Sequence, residues 1–154
     1  MLFAVATQRT QTGPEWADHA RDVLERSGHH RGAARERLIE LLSQQQCALS
    51  AQEIEDALRG GARGVGRASI YRALELLYDH ELINRLDVGD GIARYELADP
   101  AGDHHHHLVC EGCGRLVAFD DPGLERAIDR VSERLGVRVN HHDVVLRGAC
   151  EDCE

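Results

Sequence analysis

Apolar positions in the first half of the chain recur at helical spacing. Trp16, Ala20, Val23 and Leu24 fall on one face behind Pro14, which suits a first helical turn, and Gly28 follows as a stop. Leu38, Ile39, Leu41 and Leu42 predict a second helix over about 34–45. Ser50 and Glu53 have the spacing of a capping box, which predicts a third helix running through Leu58. The glycine-rich stretch 60–66 reads as a loop, and Ile70, Leu74 and Leu77 then predict a fourth helix over about 67–80. Beyond it come two short strands, 83–88 and 92–97, around Gly89-Asp90-Gly91, a hairpin signal. Helices followed by a hairpin is the layout of a winged helix-turn-helix.

Residues 99–103, Asp-Pro-Ala-Gly-Asp, read as a hinge. After it the chain changes character. Segments 104–110, 116–119 and 137–146 predict strands, and Pro122 and Gly136 bracket a helix expected to bury Leu124, Ile128, Val131 and Leu135. The expected class is α+β, with a winged-helix domain and N-terminal extension over 1–98, the hinge, and a small α/β domain over 104–154.

A length of 154 residues fits one compact domain or two small ones. The net charge of −9 argues against a nucleic-acid partner, but the charge is uneven. Every one of the 18 basic residues is arginine, and Arg59, Arg63, Arg67 and Arg72 follow one another with no acidic residue between them. Such a stripe can meet phosphate, or be a solvated face. Met1 to Thr7 is apolar but has no basic region before it, and no apolar run approaches the ~20 residues of a membrane span. A soluble cytoplasmic protein is expected. Its cysteines stay reduced there, so paired motifs point to metal rather than disulfides.

Cys110-x-x-Cys113 and Cys150-x-x-Cys153 are two pairs of identical spacing. Each pair can present two thiolates from one tight turn, and together they complete a closed, structural Zn²⁺ site. The run His104-His105-His106-His107 lies on a predicted strand, where side chains alternate between faces. His104 with His106, and His105 with His107, therefore supply two different sites. Candidate partners are Glu96, Glu125 and the His141-His142 pair. On the fourth helix, Arg67, Ser69, Tyr71 and Arg72 stand near the N-terminus, where a recognition helix meets DNA.

These residues resemble the ferric uptake regulator family from about Gly28 to Cys153. The stretch 104–114, the cysteine pair at 150–153 and the Ser69-Ile70-Tyr71-Arg72-Ala73-Leu74 run carry the resemblance. It implies a homodimeric repressor with an N-terminal winged helix on a palindromic double-stranded DNA operator. The C-terminal half then dimerises and binds metal. It further implies Glu96, His105 and His107 as regulatory metal ligands, and His104, His106, Glu125 and His142 as an additional site. Cys110, Cys113, Cys150 and Cys153 become the zinc ligands, and Arg35, Tyr71 and Arg72 DNA contacts. The chain departs from the pattern at Ala48, beside Cys47, where iron sensors of the family carry a histidine. The proline turn before the second helix is replaced by Gly32-Ala33-Ala34.

The hard oxygen donor Glu96 suits Fe²⁺ or Mn²⁺, whereas Cys47 within reach would suit Zn²⁺. The working expectation is a metal-homeostasis repressor that binds DNA when metal-loaded, with Fe²⁺ favoured and zinc sensing the alternative. A zinc-stabilised protein-interaction module without DNA binding is the alternative of another class. No His-Glu-x-x-His or deaminase motif is present, so an enzyme with a small organic substrate is not expected.

Overall fold

A computed structural model of the chain describes residues 13–30, 32–45, 47–60, 64–98 and 105–153. The expectations for the N-terminal extension, the 99–103 hinge and His104 lie outside these residues. What is described divides into two compact units, one over residues 13–98 and one over residues 105–153. No helix among the described residues is long and apolar enough to cross a membrane.

The first unit contains α1 (Gly13–Arg26), α2 (Ala33–Ser43), β1 (Leu49–Ser50), α3 (Ala51–Arg59), α4 (Arg67–Asp79), β2 (Ile83–Asp87) and β3 (Ala93–Leu97). The apolar stripes meet in one core of Trp16, Leu24, Leu38, Ile39, Leu42, Ile54, Ile70, Leu74, Leu77 and Ile83. Trp16 is buried, and its indole N–H donates to the Leu82 carbonyl at 2.9 Å, so its polar end is satisfied inside. The capping box forms as read: the Ser50 hydroxyl accepts from the Glu53 N–H, and the Glu53 carboxylate accepts from the Ser50 N–H at 2.7 Å. Such caps stabilise a helix by about 1 kcal/mol.

β2 and β3 pair antiparallel with Ile83 opposite Leu97 and Asp87 opposite Ala93. β1, which the periodicity does not reveal, adds to β3 through Leu49 opposite Tyr95 and gives the order β1-β3-β2. Two residues are too few to leave a period-two signature; the pairing partner defines the strand. The tip of the hairpin is tight. Gly89 and Gly91 take φ of 80° and 75°, and Asp87 and Asp90 accept from the N–H groups of Gly89 and Ile92. Arg94 then grips the Asp90 carboxylate at 2.8 and 3.0 Å.

In the second unit are β4 (His106–Cys110), β5 (Leu116–Phe119), α5 (Pro122–Leu135) and β6 (Val145–Gly148). The sheet order is β5-β4-β6, antiparallel between β4 and β5 and parallel between β4 and β6. Asp121 caps α5 through the Leu124 N–H at 2.8 Å, and Gly136 closes it at φ 63°.

Two expectations are corrected here. The last strand starts at Val145, not Val137, because its ladder to β4 begins at His107 opposite Val145; residues 137–144 precede it and deliver His142 instead. No residue of α5 is buried: Leu124 and Ile128 are half-buried, while Val131 and Leu135 are exposed. The helix has the amphipathic pattern, but among the described residues its apolar face is left partly uncovered.

Candidate metal centres and nucleic-acid interface

The four cysteines come from both ends of the second unit. Cys110 ends β4, the Cys113 turn follows it, and Cys150 and Cys153 lie just beyond β6. The parallel register puts Cys110 opposite Gly148, and the Glu111 N–H donates to the Gly148 carbonyl at 2.8 Å. That register brings the two motifs together. All four Sγ atoms lie within 4.8 Å of one another, and Cys113 and Cys150 are 3.8 Å apart. Sulfurs bound at 2.3 Å to one tetrahedral Zn²⁺ would be about 3.8 Å apart.

Each knuckle is locally built. The Gly114 N–H donates to the Cys110 carbonyl and the Cys153 N–H to the Cys150 carbonyl, both at 2.8 Å. Gly114 takes φ of 73°. A Cβ on Gly112 would stand 2.9 Å from Cys153 Cβ and 3.0 Å from its sulfur, so only glycine fits against the cluster. Backbone N–H groups of Cys113 and Cys150 pull the Cys110 thiol down to about 6, whereas the crowd of sulfurs from Cys150, Cys113 and Cys110 pushes Cys153 up to about 12. Four thiolates cannot share this space without a cation to offset their repulsion. The donor set fits Zn²⁺, with all four positions supplied by protein.

Of the described histidines, His106 and His107 begin β4 and His105 directly precedes it. His106 is buried and its Nε2 meets Glu125 Oε1 at 2.7 Å, while His142 Nε2 meets Glu125 Oε2 at 3.1 Å. These three form one cluster, held by β4, α5 and the segment before β6. Its donors are two imidazoles and a carboxylate, a set that suits a divalent cation. His141, the neighbour proposed with His142, is exposed and stands outside it. His105 and His107 instead meet edge to face, ring centroids 4.9 Å apart. Glu96 lies on β3 opposite Asn84.

On α4, Ile70, Ala73, Leu74 and Leu77 face the core and fix what faces out. Tyr71 is 43% exposed, Arg72 is exposed, and Arg72 reaches the Ser69 hydroxyl at 3.4 Å. The arginine stripe is less free than its sequence suggests. Glu55 of α3 is buried between Arg67, whose Nε lies 2.7 Å away, and Arg59. Hydrogen bonds from Arg67 and then Arg59 hold the Glu55 carboxyl below its ordinary range. This clamp joins α3 to the start of α4; its Arg59 half has the i,i+4 spacing of a helix, while its Arg67 half joins two helices and no spacing shows it. Arg35 is also engaged: its guanidinium donates to the carbonyls of His29 and His30.

Comparison with known proteins gives a consistent result. Residues 26–147 match the profile of the ferric uptake regulator family. The ferric uptake regulation protein of Bacillus subtilis is 30% identical over 114 residues, spanning 73% of this chain and 76% of the relative. The Helicobacter pylori ferric uptake regulator, described as having three functional metal binding sites, superposes with a TM-score of 0.81 at 26% identity, covering 96% of this chain and 97% of that one. The Vibrio cholerae ferric uptake regulator, a protein with DNA-binding domains, gives 0.73 at 28% identity, covering 84% and 98%. The chain therefore belongs to the ferric uptake regulator family, a family of metal-responsive transcriptional regulators and not of enzymes.

Proposed function

We propose that the protein is a homodimeric repressor of metal-homeostasis genes that binds a palindromic operator when a regulatory divalent metal is bound. The observation that carries this reading is the division of His105, His106 and His107 at the start of β4. His106 serves the cluster with Glu125 and His142, which leaves His105 and His107 together for a separate purpose. In this reading His105 and His107 take the regulatory metal with Glu96 from β3, across the 99–103 hinge, and His104 adds to the His106 cluster. A ligand set drawn from both sides of a hinge favours one range of hinge angles when loaded. In a dimer that angle sets the spacing of the two α4 helices, which must match half-sites about 34 Å apart or a multiple. Tyr71, Arg72, Ser69, Arg67 and Arg35 are the proposed DNA contacts. The exposed apolar residues of α5 and its surroundings support a second copy as the dimer partner.

Fe²⁺ is the favoured regulatory metal on the strength of the Glu96 carboxylate. Zn²⁺ is the second reading, favoured by half-buried Cys47 beside Ala48, the position where iron sensors of the family carry a histidine. The test is DNA binding by zinc-loaded protein titrated with Fe²⁺, Mn²⁺ or Zn²⁺, on an operator selected from random duplexes. His105→Ala is expected to lose the metal dependence while keeping the cysteine-bound zinc. A metal response equal to wild type in His105→Ala removes the hinge site; DNA binding absent under every metal favours the protein-interaction alternative.

A further inference from the structure

We infer that His29 and His80 form an exchangeable binding site for a single imidazole-preferring divalent cation, separate from the cysteine and β4 clusters. The two residues are 51 positions apart in sequence, yet their Nε2 atoms lie 3.1 Å from each other. The rings are steeply inclined, at 79°, with centroids 5.1 Å apart. Two imidazole nitrogens at about 2.0–2.1 Å from one ion sit about 2.9 Å apart for a right angle and about 3.4 Å apart for the tetrahedral angle. The observed separation falls between these limits.

Both rings are carried on pinned backbone. His29 follows the turn that ends α1, where its N–H donates to the Leu24 carbonyl at 2.9 Å and its own carbonyl accepts from Arg35. His80 caps α4, its N–H donating to the Leu76 carbonyl at 3.3 Å. The next residue, Glu81, is the only non-glycine with positive φ among the described residues, at 55°, which turns the chain sharply after His80. The pair thus lies where two helix C-termini, those of α1 and α4, converge. The partial negative charge of both ends favours a cation there.

Both side chains are half-buried, so an ion has a route in. The alternative use of the pair is a hydrogen bond between two neutral rings of opposite tautomer. That requires one Nε2 to carry a proton and the other not, whereas a bound cation uses both nitrogens in the same state. No third metal-ligating side chain joins them among the described residues, so solvent completes the coordination and the ion exchanges freely. Imidazole donors without carboxylate select Ni²⁺, Cu²⁺ or Zn²⁺ over Mg²⁺, Ca²⁺ or Mn²⁺. A bound ion would tie the end of α4 to the α1–α2 turn inside the first unit.

Ni²⁺ added to full-length, zinc-loaded protein is the probe, followed by equilibrium dialysis and by NMR of the histidine ring protons. Wild type is expected to bind one more Ni²⁺ per chain than His29→Gln or His80→Gln, and the double variant to lose that same single ion. Melting curves without Ni²⁺ check that the variants are folded. In wild type, the His29 and His80 resonances should respond together at one Ni²⁺ concentration, a readout that needs no variant. Equal Ni²⁺ uptake by wild type and both single variants, loss of two ions in the double variant, or independent responses of the two rings would each overturn the site.

Discussion

At the scale of single residues, two side chains have effects out of proportion to their size. Cys113 is exposed, yet its sulfur completes a four-sulfur cluster. Metal-binding energy at such a site is also folding energy. Cys113→Ser is expected to release the zinc and destabilise the second unit, so metal analysis of the purified variant should fall from one zinc per chain towards none. Retained zinc would mean that three sulfurs suffice. Glu55 works by charge. It offsets Arg59 at the end of α3 and Arg67 at the start of α4. Glu55→Gln should strengthen binding to unrelated duplex DNA and steepen its salt dependence by up to about one phosphate contact, while lowering the melting temperature. Anisotropy titrations at several salt concentrations read this directly; an unchanged slope would mean the two arginines do not face phosphate.

Elements are held by short-range devices that the spacing of residues encodes well. The α3 capping box and the Asp121 and Gly136 ends of α5 are examples. The hairpin tip is held differently, by the Asp90–Arg94 pair across Gly91. Hydrogen bonding from Arg94, helped by the Ile92 N–H, lowers the Asp90 carboxyl to about 2. Because its folded value lies below the ordinary one, the pair stabilises the hairpin above the usual carboxylate range. That contribution is lost as pH falls through about 2. Carbon-detected NMR titration should therefore give Asp90 a midpoint near 2. At neutral pH Asp90→Asn should loosen residues 88–92, seen as faster amide exchange at Ile92. A midpoint at an ordinary aspartate value would show that the Arg94 grip does not persist in solution.

For the whole molecule, the second unit leaves a set of apolar side chains exposed among the described residues. Val117, Val131, Leu135, Val137, Val139 and Leu146 are all exposed. Apolar surface gathered this way marks an interface, and stable interfaces bury about 1,200–2,000 Å². A second copy is the proposed cover. Val131→Glu should shift the protein to monomer in analytical ultracentrifugation while leaving its zinc content at the wild-type value. A variant that stays dimeric would place the interface elsewhere.

The sequence by itself determined the helices of the first unit, the hairpin, the capping box and the cysteine motifs. Each rests on contacts within a few residues, where period, turn chemistry and ligand spacing act directly. The alternation of the histidine run was legible for the same reason, since a strand reverses face at every step. Tertiary structure alone decided the rest. It created β1 from two residues by pairing them with β3, delayed β6 to Val145 to suit the β4 register, and left α5 with no fully buried residue. It also joined Glu55 of α3 to Arg67 of α4 and brought His29 to His80. Those arrangements join positions far apart or on different elements, and no local pattern records them, because the energy that selects them comes from packing the core as a unit.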